Sequence, residues 1–108
     1  MFQLEPSPTF TAPVSIPVPG GETATVDFTF AHMGRKELQE FLAAVKDIPD
    51  TETIRKIVAD WSGVAGADGK VIPYSAEALD ALIDCYHAAA LAVLQTYFRE
   101  LTGQRVKN

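Results

Sequence analysis

Polar and apolar residues alternate strictly in two short stretches near the start of the chain. Val14, Ile16 and Val18 alternate with Pro13, Ser15, Pro17 and Pro19. A period of two predicts a strand with one buried face. Gly20-Gly21 follows, a turn signal. Then Val26, Phe28 and Phe30 alternate with Thr25, Asp27 and Thr29, predicting a second strand over residues 24–31. The two read as a β-hairpin with one greasy face. The prolines add direction. Successive amides of a strand point to opposite edges, and Pro13, Pro17 and Pro19 fall in one alternate set, each without an N–H. One edge is thereby stripped of donors, so this strand is expected at the sheet edge, paired on one side only. A lone hairpin is marginal, and its apolar face needs a helical cover.

The period then changes to that of a helix. Leu38, Phe41, Leu42 and Val45 are spaced i, i+3, i+4, i+7, and so are Ile54, Ile57, Val58 and Trp61, and Leu79, Leu82, Ile83 and Tyr86. Each set predicts one apolar stripe on a helix. Asp50 and Ser75 stand at N-cap positions. A last helix, over about residues 88–102, carries Leu91, Leu94, Phe98 and Leu101 before a C-capping Gly103. Residues 62–74 hold Gly63, Gly66, Asp68-Gly69 and Pro73 and read as a loop with turns. The expected fold class is α+β: an N-terminal β-hairpin packed against about four α-helices, in one domain over residues 1–108.

Composition narrows the partners. The chain has 108 residues, 47% of them apolar and 21% charged, with a net charge of −5. A length of this order buries enough surface for a core without disulfides or metals. An acidic chain with no basic stripe repels phosphate backbones and anionic membrane surfaces, so neither nucleic acid nor membrane is an expected partner. The longest apolar run, residues 88–94, is far short of the ~20 residues a membrane helix needs. Residues 1–8 have neither a basic start nor an apolar stretch, which predicts no secretory signal. The single cysteine, Cys85, has no internal partner and suits a reducing compartment.

Candidate chemistry is sparse. His32 and His87 have no metal-ligand spacing to Cys85 or to each other. Cys85 and His87 could form an activated thiol, but positions two apart on a helix face different directions. Glu77, Asp80 and Asp84 form a carboxylate stripe at i, i+3, i+7, opposite Leu79, Leu82 and Ile83; it reads as the wet face of an amphipathic helix or a docking strip for a basic partner. The segment around Asp68-Gly69 lacks the alternating oxygen ligands of a calcium loop, and Gly20-Gly21 is too short to cradle phosphate. No catalytic, cofactor or metal site is expected. Trp61 completes its stripe and reads first as core, second as a binding anchor. The candidate protein-binding residues are therefore Leu91, Leu94 and Phe98 on the last helix, Trp61, and the Glu77, Asp80 and Asp84 strip. The outer edge of the second strand, or the last helix, is expected to support a homo-oligomer.

One resemblance spans nearly the whole chain. It rests on Phe2-Gln3-Leu4-Glu5-Pro6-Ser7-Pro8-Thr9-Phe10, then Ala12-Pro13-Val14 and Pro17-Val18-Pro19-Gly20-Gly21, then Trp61-Ser62-Gly63-Val64. A Ser75-capped helix reaching Tyr86 follows, and the chain closes on Leu101-Thr102-Gly103-Gln104-Arg105 and Lys107-Asn108. In order and spacing these stretches resemble the tail assembly chaperones of long-tailed bacteriophages and prophages. Two features depart from the pattern: residues 67–72 look inserted, and His87 stands where a proline is expected. The resemblance implies a non-enzymatic protein without cofactors, acting in the host bacterial cytoplasm. It would bind the tape-measure protein, a long helical rod, and help recruit tail tube subunits. A small connector retained in the tail is the alternative. The family is often made in two lengths through a −1 ribosomal slip, and Val106-Lys107-Asn108 permits a slippery codon run there.

Overall fold

The structure, a computed structural model, describes residues 4–47 and 49–103. The chain opens with β1 (Thr9–Val18) and β2 (Glu22–Ala31), antiparallel in an unbroken register from Thr9 opposite Ala31 to Val18 opposite Glu22. The turn between them is closed by Gly21, whose N–H donates to the Val18 carbonyl at 3.2 Å. Gly20 and Gly21 take φ of 107° and 93°, left-handed values that side chains resist. Ala12, Val14 and Ile16 of β1 and Val26, Phe28 and Phe30 of β2 are buried on one face. With β3 (Val58–Ser62) the sheet order is β1-β2-β3, so the proline-bearing strand is an edge, as its missing donors require.

Among the described residues four helices follow: α1 (Arg35–Ala44), α2 (Thr51–Ile57), α3 (Ala76–Cys85) and α4 (Ala89–Thr102). An α+β fold with the hairpin against four helices is what the periodicities predicted. Both expected N-caps are formed. The Asp50 carboxylate accepts from the Thr53 N–H at 2.9 Å and the Thr53 hydroxyl at 2.8 Å. These bonds, the backbone one first, hold its pKa below the usual value. The Ser75 hydroxyl accepts from the Ala78 N–H at 3.0 Å. Gly103 closes α4 at φ 76°.

Two expectations are corrected. Ile54, Ile57, Val58 and Trp61 do not share one helix. All four are buried, but α2 ends at Ile57 and the chain extends into β3 (Val58–Ser62), which pairs antiparallel with β2. The register slips between Thr29 and Phe30: Asp60 faces Thr29 while Val58 faces Phe30. Ala59 is the extra residue of a β-bulge. A bulge lets positions three apart face the same side, so Val58 and Trp61 both enter the core from a strand and imitate a helical stripe. β3 also fills the outer edge of β2 from Asp27 to Phe30, the edge expected to template self-association.

The second correction concerns α4. Its buried residues are Ala89, Ala90, Val93, Thr96 and Tyr97, one residue ahead of the Leu91, Leu94, Phe98 stripe and so rotated by about 100°. Ala89, Ala90 and Val93 are small and buried, so this face of the helix packs closely on the rest of the fold. Tyr97 then reaches across to donate its hydroxyl to the Ala31 carbonyl at 2.8 Å, with its ring against Phe10 and Phe30. Burial, with a smaller contribution from Glu37, pushes its pKa up to about 12.

Candidate protein-binding site

The sequence candidates scatter over three places. Trp61 is inside, 6% exposed. Its indole N–H donates to the Ile72 carbonyl at 2.9 Å, and its ring meets Phe28 and Tyr74 edge-on. It offers no free surface as an anchor, because core packing and this hydrogen bond occupy both its ring and its only donor. It acts instead as the pin of the loop that follows β3. That loop doubles back on itself. Ala65 bridges Val71, the Ile72 N–H donates to the Val64 carbonyl, and Asp68 accepts from the Lys70 N–H in a turn through Gly69. The segment at 67–72 therefore forms a small ear that leaves Val71 78% exposed.

Glu77, Asp80 and Asp84 lie exposed along α3. Asp80 and Asp84 border a shallow depression with Thr51, Ile83 and His87. Cys85 is exposed and opens onto a different depression, beside Ala81 and Tyr86. Contrary to expectation the two do not share a helix: α3 ends at Cys85 and His87 stands in the turn before α4, and they line different depressions. Among the described residues no group of three or more His, Cys, Asp or Glu side chains could hold a metal ion, and no helix is long and apolar enough to cross a membrane.

The third place is the outer side of α4. Leu91 is 40% exposed, and Leu94 and Phe98 are half-buried. Leu94 and Phe98 face Leu42 of α1 across an apolar groove of about 430 Å³, with Gln95 and Arg99 on its wall. The other side of that wall is a polar cleft of about 270 Å³, where Gln95, Thr96 and Arg99 face Pro13 and Ser15 at the free edge of β1. Gln95 and Arg99, one helical turn apart, form the ridge between the two. The Arg99 guanidinium donates to the Thr96 hydroxyl at 3.3 Å and has no carboxylate partner among the described residues.

A family model described as phage tail assembly chaperone matches residues 1–108. This chain belongs to that family. No curated protein matches it, and no solved structure does. On this outer surface the sequence pattern names Leu91, Leu94 and Phe98 and does not name Leu42, Gln95 and Arg99. Leu42 sat within a stripe assigned to the core. A signal for the rest was present: residues 88–94 are apolar on every side of the helix, and a helix apolar all round must be covered on more than one face. The candidate slip site at Val106-Lys107-Asn108 lies outside the described residues.

Proposed function

We propose that this chain is a non-enzymatic tail assembly chaperone that holds the tape-measure protein in the host bacterial cytoplasm and helps bring tail tube subunits to it. The family match along residues 1–108 carries the reading. The surface supports it. A long helical client needs an apolar face to rest on, and the outer stripe of α4 with Leu42 supplies one without displacing any core residue. Exposed contiguous apolar surface on a small protein is an interaction signature. The acidic balance of the chain keeps it soluble while that face is open.

The test is co-expression with the tape-measure protein of the same phage. The chaperone reading expects the tape-measure protein to be soluble and co-purified with this chain and insoluble without it. Mass spectrometry of finished tails is expected to lack this chain. Its stoichiometric presence there would favour a retained connector instead.

A further inference from the structure

The groove between α1 and α4 has an apolar floor and a single cationic wall. Leu42, Leu94 and Phe98 form the floor. Arg99 stands on the ridge, its guanidinium bonded only to Thr96 and free of any carboxylate among the described residues. The acidic side chains Glu77, Asp80 and Asp84 are on α3, not on this ridge. Of the five residues that line the groove, Arg99 is the one that carries a formal charge.

We propose that the occupant of this groove is an amphipathic α-helix of a partner protein, one that lays a leucine-like stripe on Leu42, Leu94 and Phe98 and presents an Asp or Glu on its flank to Arg99. This deepens the chaperone reading by naming which face of a helical client is recognised, and it rests on that reading for the client's identity. An apolar floor selects a helix through side chains at i, i+3, i+4 and i+7. It cannot set the direction or register of that helix, because every leucine stripe fits. A guanidinium at the rim can, since it forms paired bonds to a carboxylate and repels lysine. Beside an apolar wall its attraction is less screened than in open water.

A second copy of this chain is a poorer occupant. Pairing α4 with its own copy, Leu91 against Phe98, sets Arg99 across from Ala90. The only carboxylate on α4 is Glu100. In that pairing the copy's Glu100 lies about 15 Å along the helix axis from Arg99. Self-pairing therefore leaves the guanidinium unmatched.

The experiment uses two synthetic helical peptides with the same leucine stripe, one with glutamate and one with lysine along its flank, titrated against the full chain by fluorescence anisotropy. The wild type should prefer the glutamate peptide by about tenfold. Arg99→Glu, a surface change that leaves the core untouched, should reverse the preference, and Phe98→Ala should weaken both peptides about tenfold. Equal affinity for the two peptides, an unchanged preference in Arg99→Glu, or no binding of either at millimolar peptide overturns the proposal. So does sedimentation showing a wild-type dimer that Phe98→Ala makes monomeric, which would give the groove to a second copy. Co-expression with the tape-measure protein separates this inference from the functional reading. If wild type and Arg99→Glu solubilise it equally, the chaperone role stands and the groove assignment falls. If the wild type fails to solubilise it while the peptide preference holds, the groove stands and the client is wrong.

Discussion

Tyr97 joins the two ends of the chain, since its hydroxyl donates to a carbonyl sixty-six positions earlier in sequence, Ala31. Removing the hydroxyl leaves that carbonyl without its partner, so Tyr97→Phe is expected to cost about 1–2 kcal/mol in urea unfolding. The same residue sets the alkaline limit. An unfolded tyrosine ionises near its ordinary value of 10.0, whereas folded Tyr97 holds its proton up to about 12 because burial penalises the phenolate. The folded state binds the proton more tightly, so this contribution is complete below pH 10 and is lost as pH climbs toward 12. Unfolding midpoints measured across that window should fall in the wild type and fall less steeply in Tyr97→Phe. Tyr74, also raised by burial, accounts for a residual slope. At the start of α3, Ser75→Ala is expected to lose about 1 kcal/mol and Ser75→Gly only roughly a few tenths. Asp50 works with the opposite sign. Its lowered pKa means that its cap is present above the ordinary value of 3.8 and is lost on further acidification, so Asp50→Asn should flatten the acid limb of the unfolding curve.

Among the elements, β1 and β3 each depend on a backbone detail. β1 keeps its outer edge open, yet Pro13 and Pro17 remove two of the amides that a further strand would use. The double variant Pro13→Val with Pro17→Val restores both donors and leaves the buried face unchanged. It is expected to self-associate through the edge, seen as concentration-dependent sedimentation where the wild type shows none by this route. In β3 the detail is the bulge at Ala59. Deleting Ala59 would straighten the bulge and leave Val58 and Trp61 two positions apart, the spacing that shares a face in a regular strand, so both are expected to stay in the core. Trp61 emission should remain that of a buried indole and urea unfolding should change little; a red shift with a large loss of stability would mean that the bulge itself holds the two side chains inside. α4 differs from the other helices in serving two surfaces: Ala90, Val93 and Tyr97 are buried, with Tyr97 on the sheet, while Leu91, Leu94 and Phe98 form an outer stripe.

Taken as a unit, the chain separates its tasks in space. The hairpin and the inner face of α4 hold the fold, the carboxylates Glu77, Asp80 and Asp84 line α3, and the groove between α1 and α4 faces outward with Arg99, which has no carboxylate partner among the described residues. Client capture on such a surface should be hydrophobic at its centre with a single charged contact at the rim. Affinity for a tape-measure fragment is therefore expected to drop less than about tenfold between low and 0.5 M salt, since only one partly shielded pair is screened. A steep loss in a salt titration would transfer the binding site to Glu77, Asp80 and Asp84 and a basic client.

Local pattern was enough to determine the hairpin, the edge position of β1, both N-caps, α3 with its stripe, and the ends of α4, because each follows from neighbours in sequence: a period of two, a proline without an amide, a hydroxyl three residues before the N–H it satisfies. The core membership of Ile54, Ile57, Val58 and Trp61 was legible for the same reason. Their conformation was not. Helical spacing and a bulged strand bury the same four positions, and what selects the strand is the outer edge of β2, whose amides and carbonyls from Asp27 to Phe30 need partners that only a distant segment can bring. The faces of α4 were ambiguous in the same way. Residues 88–94 are apolar on every side, so rotation about the helix axis was settled by contact: the close approach that Ala89, Ala90 and Val93 allow, and the reach of Tyr97 to Ala31. That rotation leaves the leucine and phenylalanine stripe outside and sets Arg99 beside Leu42, a residue more than fifty positions away, which no local pattern connects to it.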